Sequence, residues 1–396
     1  MPDPRGLVRR IDAATPPGRD RAVDALRAFA ITGVVLGHWL VTALVADGGT
    51  LHGDSPLRHM PELAPVSWAL QTLAVFFLVG GYAAARSRAA YPGGHLAWLR
   101  SRFARLFRPV AALLGLWAVV SACTLAAGTG TATVRTLLGL ALSPLWFLLV
   151  FAALTAATPL VARLHPLWPL AVVLHVDLFR FGFGAPACLG WVDVAAGWLV
   201  PYCLGTAWAR REPGRGVCWA LLVGGAAATA ALVAWAGYPA SMVGVPGAPV
   251  SNLSPPTLAA VTFGLAQCGA ALLLLGPLRR ALRRPAAWAA VALLSLCAMT
   301  VFLWHQTALM AVTAIGLSLG RLPGLHAVPD DGGWVLARIA WLPVFTLVLL
   351  VCRAAFHPYE AGRTRPHERG RTRRASRVVR AHRAERNAAA DVHGSV

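Results

Sequence analysis

Residues 22–46 read AVDALRAFAITGVVLGHWLVTALVA, an apolar stretch with two charges near its start and a histidine inside it. About 20 apolar residues carry a helix across a hydrocarbon core of roughly 30 Å, so this stretch reads as a membrane span. Working outward, runs of similar character recur at 66–86, 107–127, 138–161, 167–180, 189–209, 217–237, 257–277, 287–318 and 334–353. The chain is 57% hydrophobic and 13% charged, with a mean hydropathy of +0.60. Soluble domains carry about 25% charged residues, so lipid is the solvent here. The expected fold is an all-α membrane protein with about ten transmembrane helices. It divides into an N-terminal segment (1–21), a membrane domain (22–353) and a basic tail (354–396).

The formal charge is +20, and all 36 basic residues are Arg. A basic total invites a nucleic-acid reading, but here the Arg residues follow the alternation of the spans. With the N-terminus inside, 31 fall on inside segments and four (Arg58, Arg135, Arg180 and Arg321) on outside loops, while Arg338 falls within the last span. This is the positive-inside pattern, and it predicts both termini on the cytoplasmic side of an inner or plasma membrane. Membrane lipid is thus an expected partner and nucleic acid is not. The first span has a histidine in its apolar part and nine spans behind it, so it reads as retained rather than as a cleaved signal. The tail from His357 has too few large apolar side chains to offset chain entropy; disorder near anionic lipid is expected there. The seven cysteines lie singly with no C-x-x-C pair. Neither a disulfide framework nor a metal site is expected from them.

Ionisable groups at a helix centre cost about 2.5–3.5 kcal/mol on insertion scales, and so draw attention to function. Eleven positions separate Arg27 from His38, which places them within about 20° on one helix face and ~16 Å apart along it. Asp24 is an i,i+3 neighbour of Arg27 and suited to pair with it at the inner boundary. The blander alternatives are a snorkelling Arg27 and a His38 that makes a helix-packing hydrogen bond. His305, in the run Val301-Phe302-Leu303-Trp304-His305-Gln306, falls at a depth similar to that of His38. The two imidazoles either line one cavity or pack independently. His175, Asp177 and Arg180 share the short fifth span; with Asp193 they read as a structural ion pair or as the lining of a wet cavity. Arg102, Arg105 and Arg108 recur every three residues where a basic loop enters the third span. Guanidinium forks suit phosphates, although topology alone also explains a basic loop. The 46–65 and 238–256 loops read as surface loops, or as walls of an acceptor site.

Taken in order, these segments resemble the bacterial acyltransferase-3 family of multi-pass membrane O-acyltransferases. The motifs are Asp24 and Arg27-AFAITGVVLG-His38, then Phe76-Phe77-Leu78-Val79-Gly80-Gly81-Tyr82, then Arg102-x-x-Arg105 with Pro109 following. Leu145-Trp146-Phe147-Leu148 and Leu303-Trp304-His305 complete the series. Gly80 departs from the pattern, because the family has Ser there, so no role of that hydroxyl carries over. The resemblance implies an acyl-CoA donor bound from the cytoplasmic side by Arg102, Arg105 and Arg27. It implies a hydroxylated acceptor, glycan, lipid or macrolide-like, as in the O-acetylation of cell surface polysaccharide. It also implies a catalytic role for His38 as base or acyl carrier, with Arg27 and His305 assisting and Asp24 and Trp146 in support, while Asp177 is a supporting candidate only from its place in the fifth span. No cofactor besides the donor substrate, no metal and no obligate protein partner is expected. The alternative class is a transporter or flippase of a polar lipid or glycan, since intramembrane His, Asp and Arg also mark transport paths. No internal repeat of the transporter kind is found in the sequence. A non-catalytic membrane partner of an assembly enzyme is the third reading, left open by Gly80.

Overall fold

The computed structural model describes residues 3–361. Its helices are α1 (Pro4–Ala13), α2 (Arg21–Val41), α3 (Pro56–His59), α4 (Ala64–Leu70), α5 (Leu73–Ala89), α6 (His95–Ala126), α7 (Thr131–Leu142) and α8 (Leu145–Ala156). There follow α9 (Thr158–Val161), α10 (Leu167–Asp177), α11 (Trp191–Arg210), α12 (Arg215–Trp235), α13 (Leu258–Ala281), α14 (Pro285–Leu296), α15 (Ala298–Leu317) and α16 (Gly332–Ala361). Among the described residues, nine helical segments are long and apolar enough to cross a membrane: Arg21–Val41, Pro61–Ala89, His95–Ala126, Thr131–Ala156, Ala187–Arg210, Arg215–Trp235, Leu258–Ala281, Ala298–Leu317 and Gly332–Phe356. Large apolar side chains such as Val119, Leu149, Val223, Leu347 and Val351 stand exposed on them. Apolar exposure on this scale marks a surface that meets lipid or a partner rather than water.

Several boundaries differ from the sequence expectation: the third and fourth spans begin earlier, at His95 and Thr131, and four others differ as follows. The first span ends at Val41, not 46, because Ala43–Asp47 and Thr50–Asp54 pair as an antiparallel hairpin, β1 and β2. Gly48 and Gly49 take positive φ values of 53° and 77° at its turn, the backbone that a tight two-residue hairpin demands. The predicted fifth span is α10, only 11 residues, continued by a π turn over Leu178–Gly182. At 1.5 Å per residue the two together reach about 24 Å, short of a full crossing. The predicted ninth span, 287–318, is two helices, α14 and α15, broken at Cys297. A straight helix of that length would run to about 48 Å, and a break is one way to fit it. Finally, α16 continues past 353 to Ala361; the rest of the predicted basic tail lies outside the described residues.

The core is organised around α2, which touches α4, α5, α13, α14, α15 and α16. α5 lies along α11 at very short range, because Gly81 faces the Tyr202 carbonyl and Gly205 the Leu78 carbonyl. A Cβ at either glycine would overlap a backbone oxygen; small residues are what let membrane helices approach this closely. Trp39 Nε1 donates to the His305 carbonyl at 2.9 Å and so sets α2 against α15. The predicted exception, Arg338, is fully buried on α16. Its guanidinium donates to the carbonyls of Trp39 (2.6 Å), Gly324 (2.8 Å) and Thr42. Trp39 and Thr42 belong to the carboxyl end of α2, where carbonyls lack helical partners and the dipole favours a cation. Arg338 therefore fixes the end of the helix that carries His38.

Candidate functional site

Two cavities open along α2, one at each end of its Arg27–His38 face. The first, about 280 Å³, is lined by Arg27, Ile31, Phe76, Gly80, Arg102, Arg105, Phe151 and residues on both sides of the α14–α15 break, Ser295 and Ala298 among them. The second, about 350 Å³, is lined by His38, Gln306, Trp146, Phe147, Phe302, the hairpin residues Asp54 and Ser55, and Val243 and Leu253 from the 238–256 loop.

In the arginine cavity, Asp24 is the organising anion. It is buried and accepts from Arg19 Nε at 2.6 Å and Nη2 at 3.2 Å, and from Arg27 Nη1 at 3.3 Å. Arg19, outside the span, is the closer partner; the hydrogen bond to Asp24 raises its pKa above the ordinary value, against an opposing effect of burial. Because Arg19 takes both carboxylate oxygens, Arg27 is held by one contact and keeps other donors for the cavity. Arg102 and Arg105 lie one turn apart on α6, which begins at His95, well before the predicted span. Arg102 donates through Nη2 to the Ala83 carbonyl at 3.1 Å and stacks on Trp98 with its carbon 5.5 Å from the ring centre. Its Nε is buried with no hydrogen-bond partner among the described residues. Three guanidiniums with one carboxylate between them leave a cationic surface suited to phosphate. Gly80 also lines this cavity, and a Cβ there would run into the Phe151 ring. The missing hydroxyl is therefore matched by an aromatic ring that fills the space beside it.

In the histidine cavity, the structure brings His38 and His305 together, with ring centroids 5.1 Å apart. Only His38 lines the cavity; His305 lies fully buried behind it. His305 Nδ1 is 2.6 Å from the Phe302 carbonyl. A carbonyl only accepts, so Nδ1 carries the proton, and in the neutral ring Nε2 is left with its lone pair. That Nε2 is buried and has no hydrogen-bond partner among the described residues. Gln306, next along α15, places its amide 3.1 Å from His38 Nδ1. Asp54 is buried, accepting from the Ser55 amide and facing His59 Nε2, each at 2.8 Å. The two loops are thus more than surface connections, since both supply walls.

A layer of phenylalanines divides the two cavities. Phe76 faces the arginine cavity, whereas Phe147 and Phe302 face the histidine cavity. Phe76 and Phe147 meet edge to face at 4.9 Å, and Phe147 lies 5.4 Å from Phe302. Trp146 joins the wall of the histidine cavity, 6.3 Å from Trp198.

Asp177 is far along the chain from these groups and lines neither cavity. It is buried and accepts from Tyr238 Oη (3.0 Å) and the Leu258 amide (2.6 Å), with Arg180 at 3.5 Å. Tyr238 and Leu258 bracket the loop that supplies Val243 and Leu253, so Asp177 clamps both ends of that wall. Asp193 is buried with neither carboxylate oxygen hydrogen-bonded among the described residues. His175 is exposed and bonds its own helix at the Ala171 carbonyl, 2.6 Å away.

Sequence reasoning did not single out Gln306 or the phenylalanine layer, and it named Asp54 only with His52, His59 and Glu62 as polar residues of the 46–65 loop. Gln306 carried one usable signal, an amide in an apolar span beside a histidine. Phe76, Phe147 and Phe302 stood in the quoted motif runs, but nothing in the sequence said that their rings meet.

The sequence model described as "Acyltransferase domain" (Acyl_transf_3) matches residues 20–356. No curated protein and no solved structure matches the chain significantly. The match runs from the residue before α2 into α16, and spans both cavities and the layer between them. The chain belongs to the acyltransferase-3 family, whose membership implies membrane acyltransferase activity.

Proposed function

We propose that the protein moves an acyl group, with acetyl the first candidate, from acyl-CoA to a hydroxyl of a glycan, lipid or macrolide-like acceptor. The observation that carries this reading is the pair of unlike cavities on one face of α2. One offers Arg27, Arg102 and Arg105, and the other an imidazole beside polar and apolar walls. The CoA phosphates meet the three guanidiniums. The pantetheine arm runs along α2 and displaces the Phe76–Phe147 contact to bring the thioester to His38. The acceptor hydroxyl lies in the histidine cavity, and His38 takes its proton as the oxygen attacks the thioester carbonyl. Collapse of the adduct breaks the carbon–sulfur bond, and the imidazolium returns the proton to the CoA sulfur. Transfer of the acyl group through an acyl-imidazole is the covalent variant of this route. His305 Nε2, a lone pair in the neutral ring, cannot donate to a thioester carbonyl, and from behind His38 it acts through the wall of the cavity rather than on the substrates.

The membrane is an inner or plasma membrane. The Arg distribution supports the arginine cavity facing the cytoplasm, together with both termini. This orientation counts α10 and its π turn as a tenth, short crossing. Acceptor-dependent release of CoA thiol from acetyl-CoA by the purified protein is the test. A folded protein that neither binds nor turns over acyl-CoA would sink the reading.

The transporter or flippase reading draws on one observation, the thin ring layer between two cavities, which resembles a closed gate. Counterflow of a polar lipid or glycan in liposomes without acyl-CoA would establish it.

The Asp177 clamp yields a separate expectation. In Asp177→Ala, the Tyr238 hydroxyl and the Leu258 amide, which share the one oxygen Oδ2, both lose their acceptor, at a cost of about 1–3 kcal/mol for each group left unsatisfied. The acceptor KM should rise severalfold while donor affinity stays at the wild-type value, measured by steady-state kinetics and CoA titration. An equal loss of donor affinity would show that Asp177 supports the whole fold rather than the acceptor wall.

A further inference from the structure

An imidazole that serves as a base must keep the lone pair of one chosen nitrogen free, and the other nitrogen's partner decides which. The Gln306 amide lies 3.1 Å from His38 Nδ1 and is the side chain that meets the ring nitrogens. Gln306 is 1% exposed, and its second amide atom, placed as Oε1, is buried without a hydrogen-bond partner among the described residues. Rotating the amide by 180° exchanges nitrogen and oxygen with almost no change in shape, so the chemistry has to decide which atom faces the ring.

With the amide nitrogen toward His38, Nδ1 accepts, Nε2 holds the proton, and the neutral ring has no free lone pair. That ring can take no proton from a hydroxyl. With the amide oxygen toward His38, Nδ1–H donates to Oε1 and Nε2 is free. We infer that Gln306 is the positioning residue for His38, accepting the Nδ1 proton through its amide oxygen and leaving Nε2 as the atom that takes the acceptor's proton. This rests on the reading of His38 as the base.

Three further features support it. The contact is held in register from both sides, because Trp39 Nε1 binds the His305 carbonyl and Arg338 binds the Trp39 carbonyl. The neighbouring His305 is held as its own Nδ1–H form by the Phe302 carbonyl, so the two rings present the same edge chemistry. A neutral amide also fits this depth better than a carboxylate. A buried anion there would need a cation, and the buried Arg338 guanidinium already donates to three carbonyls. When His38 gains its second proton, the amide oxygen accepts a stronger, charge-assisted bond from Nδ1–H without any charge having been buried beforehand.

The experiment combines nitrogen NMR of histidine-labelled full-length protein with kinetics of Gln306→Glu and Gln306→Leu. The His38 signal is assigned by its absence in a His38→Gln sample. The expected wild-type spectrum shows neutral His38 protonated at Nδ1. Gln306→Glu, which can only accept when ionised, should keep that tautomer and stay within about tenfold of wild-type kcat. Its acid limb should move to higher pH, since a carboxylate favours the imidazolium. Gln306→Leu should lose about 10²-fold in kcat with CoA affinity and acceptor KM unchanged, and show mixed tautomers. A wild-type His38 protonated at Nε2, or a Leu variant with full kcat, would overturn the inference. The tautomer is read without turnover, so a protein inactive towards acyl-CoA would count against the proposed function and leave this assignment to the spectrum. If the Leu variant does not fold, the wild-type spectrum and the Glu variant decide.

Discussion

A His38→Ala variant is expected to lose acyl transfer by roughly 10²–10⁴-fold, the usual contribution of a positioned general base, while binding acyl-CoA as the wild type does. The separation of the two effects follows from the geometry. His38 lines the histidine cavity and not the arginine cavity, and a phenylalanine layer stands between them. Removing the ring takes away the proton acceptor and leaves the guanidiniums untouched. The fold should survive, because the cross-links that set the end of α2 run through Trp39, Thr42 and Arg338 rather than through His38. Thioester turnover with and without acceptor, beside a CoA titration, checks this. A parallel fall in CoA affinity would show that the ring holds the donor as well as taking the proton, and would remove the predicted separation. Unchanged transfer would remove the base from the account.

The second large effect is expected at Arg102. A charge-assisted hydrogen bond contributes about 1.5–3 kcal/mol, so Arg102→Ala should weaken CoA binding by about 10- to 150-fold. Arg102→Lys should recover only part of this, because an ammonium restores charge without the bidentate fork. Its stack on Trp98 would also be lost or weakened. Arg102 is a cleaner probe than Arg27. Arg27 shares Asp24 with Arg19, and removing it also disturbs that network. Isothermal titration of CoA and of dephospho-CoA would separate a diphosphate contact from one to the ribose phosphate. Equal affinities of wild type and Arg102→Ala for CoA would move the donor site away from α6.

Much of the membrane architecture was legible because it rests on periodicity and length. The one-face relation of Arg27 and His38 needed only the helical repeat, and both indeed line cavities on the same side of α2. Arg338 was visible as the single charge breaking the Arg pattern, although its purpose was not. The carbonyls it binds come from Trp39, Thr42 and Gly324, distant in sequence. The β hairpin was hidden because Thr42–Ala46 is apolar and β-branched enough to extend a span or to form a strand, and only pairing with 50–54 decides. The break at Cys297 was hidden for the opposite reason. Neither Pro nor Gly marks it; in the fold Arg353 of α16 meets Cys297 there. At the site, local rules suggested the Asp24–Arg27 pair. The shorter Arg19–Asp24 contact comes from the turn before α2, whose path the helical repeat does not describe.

The central claim is that one substrate, acyl-CoA, reaches from the arginine cavity to His38. A cryo-electron microscopy structure of the wild-type protein with bound CoA tests it most directly. The account predicts phosphates against Arg27, Arg102 and Arg105, the Phe76–Phe147 contact opened, and the CoA sulfur beside the His38 ring. CoA seated elsewhere, or a thiol held on the arginine side of an intact phenylalanine layer, would contradict it.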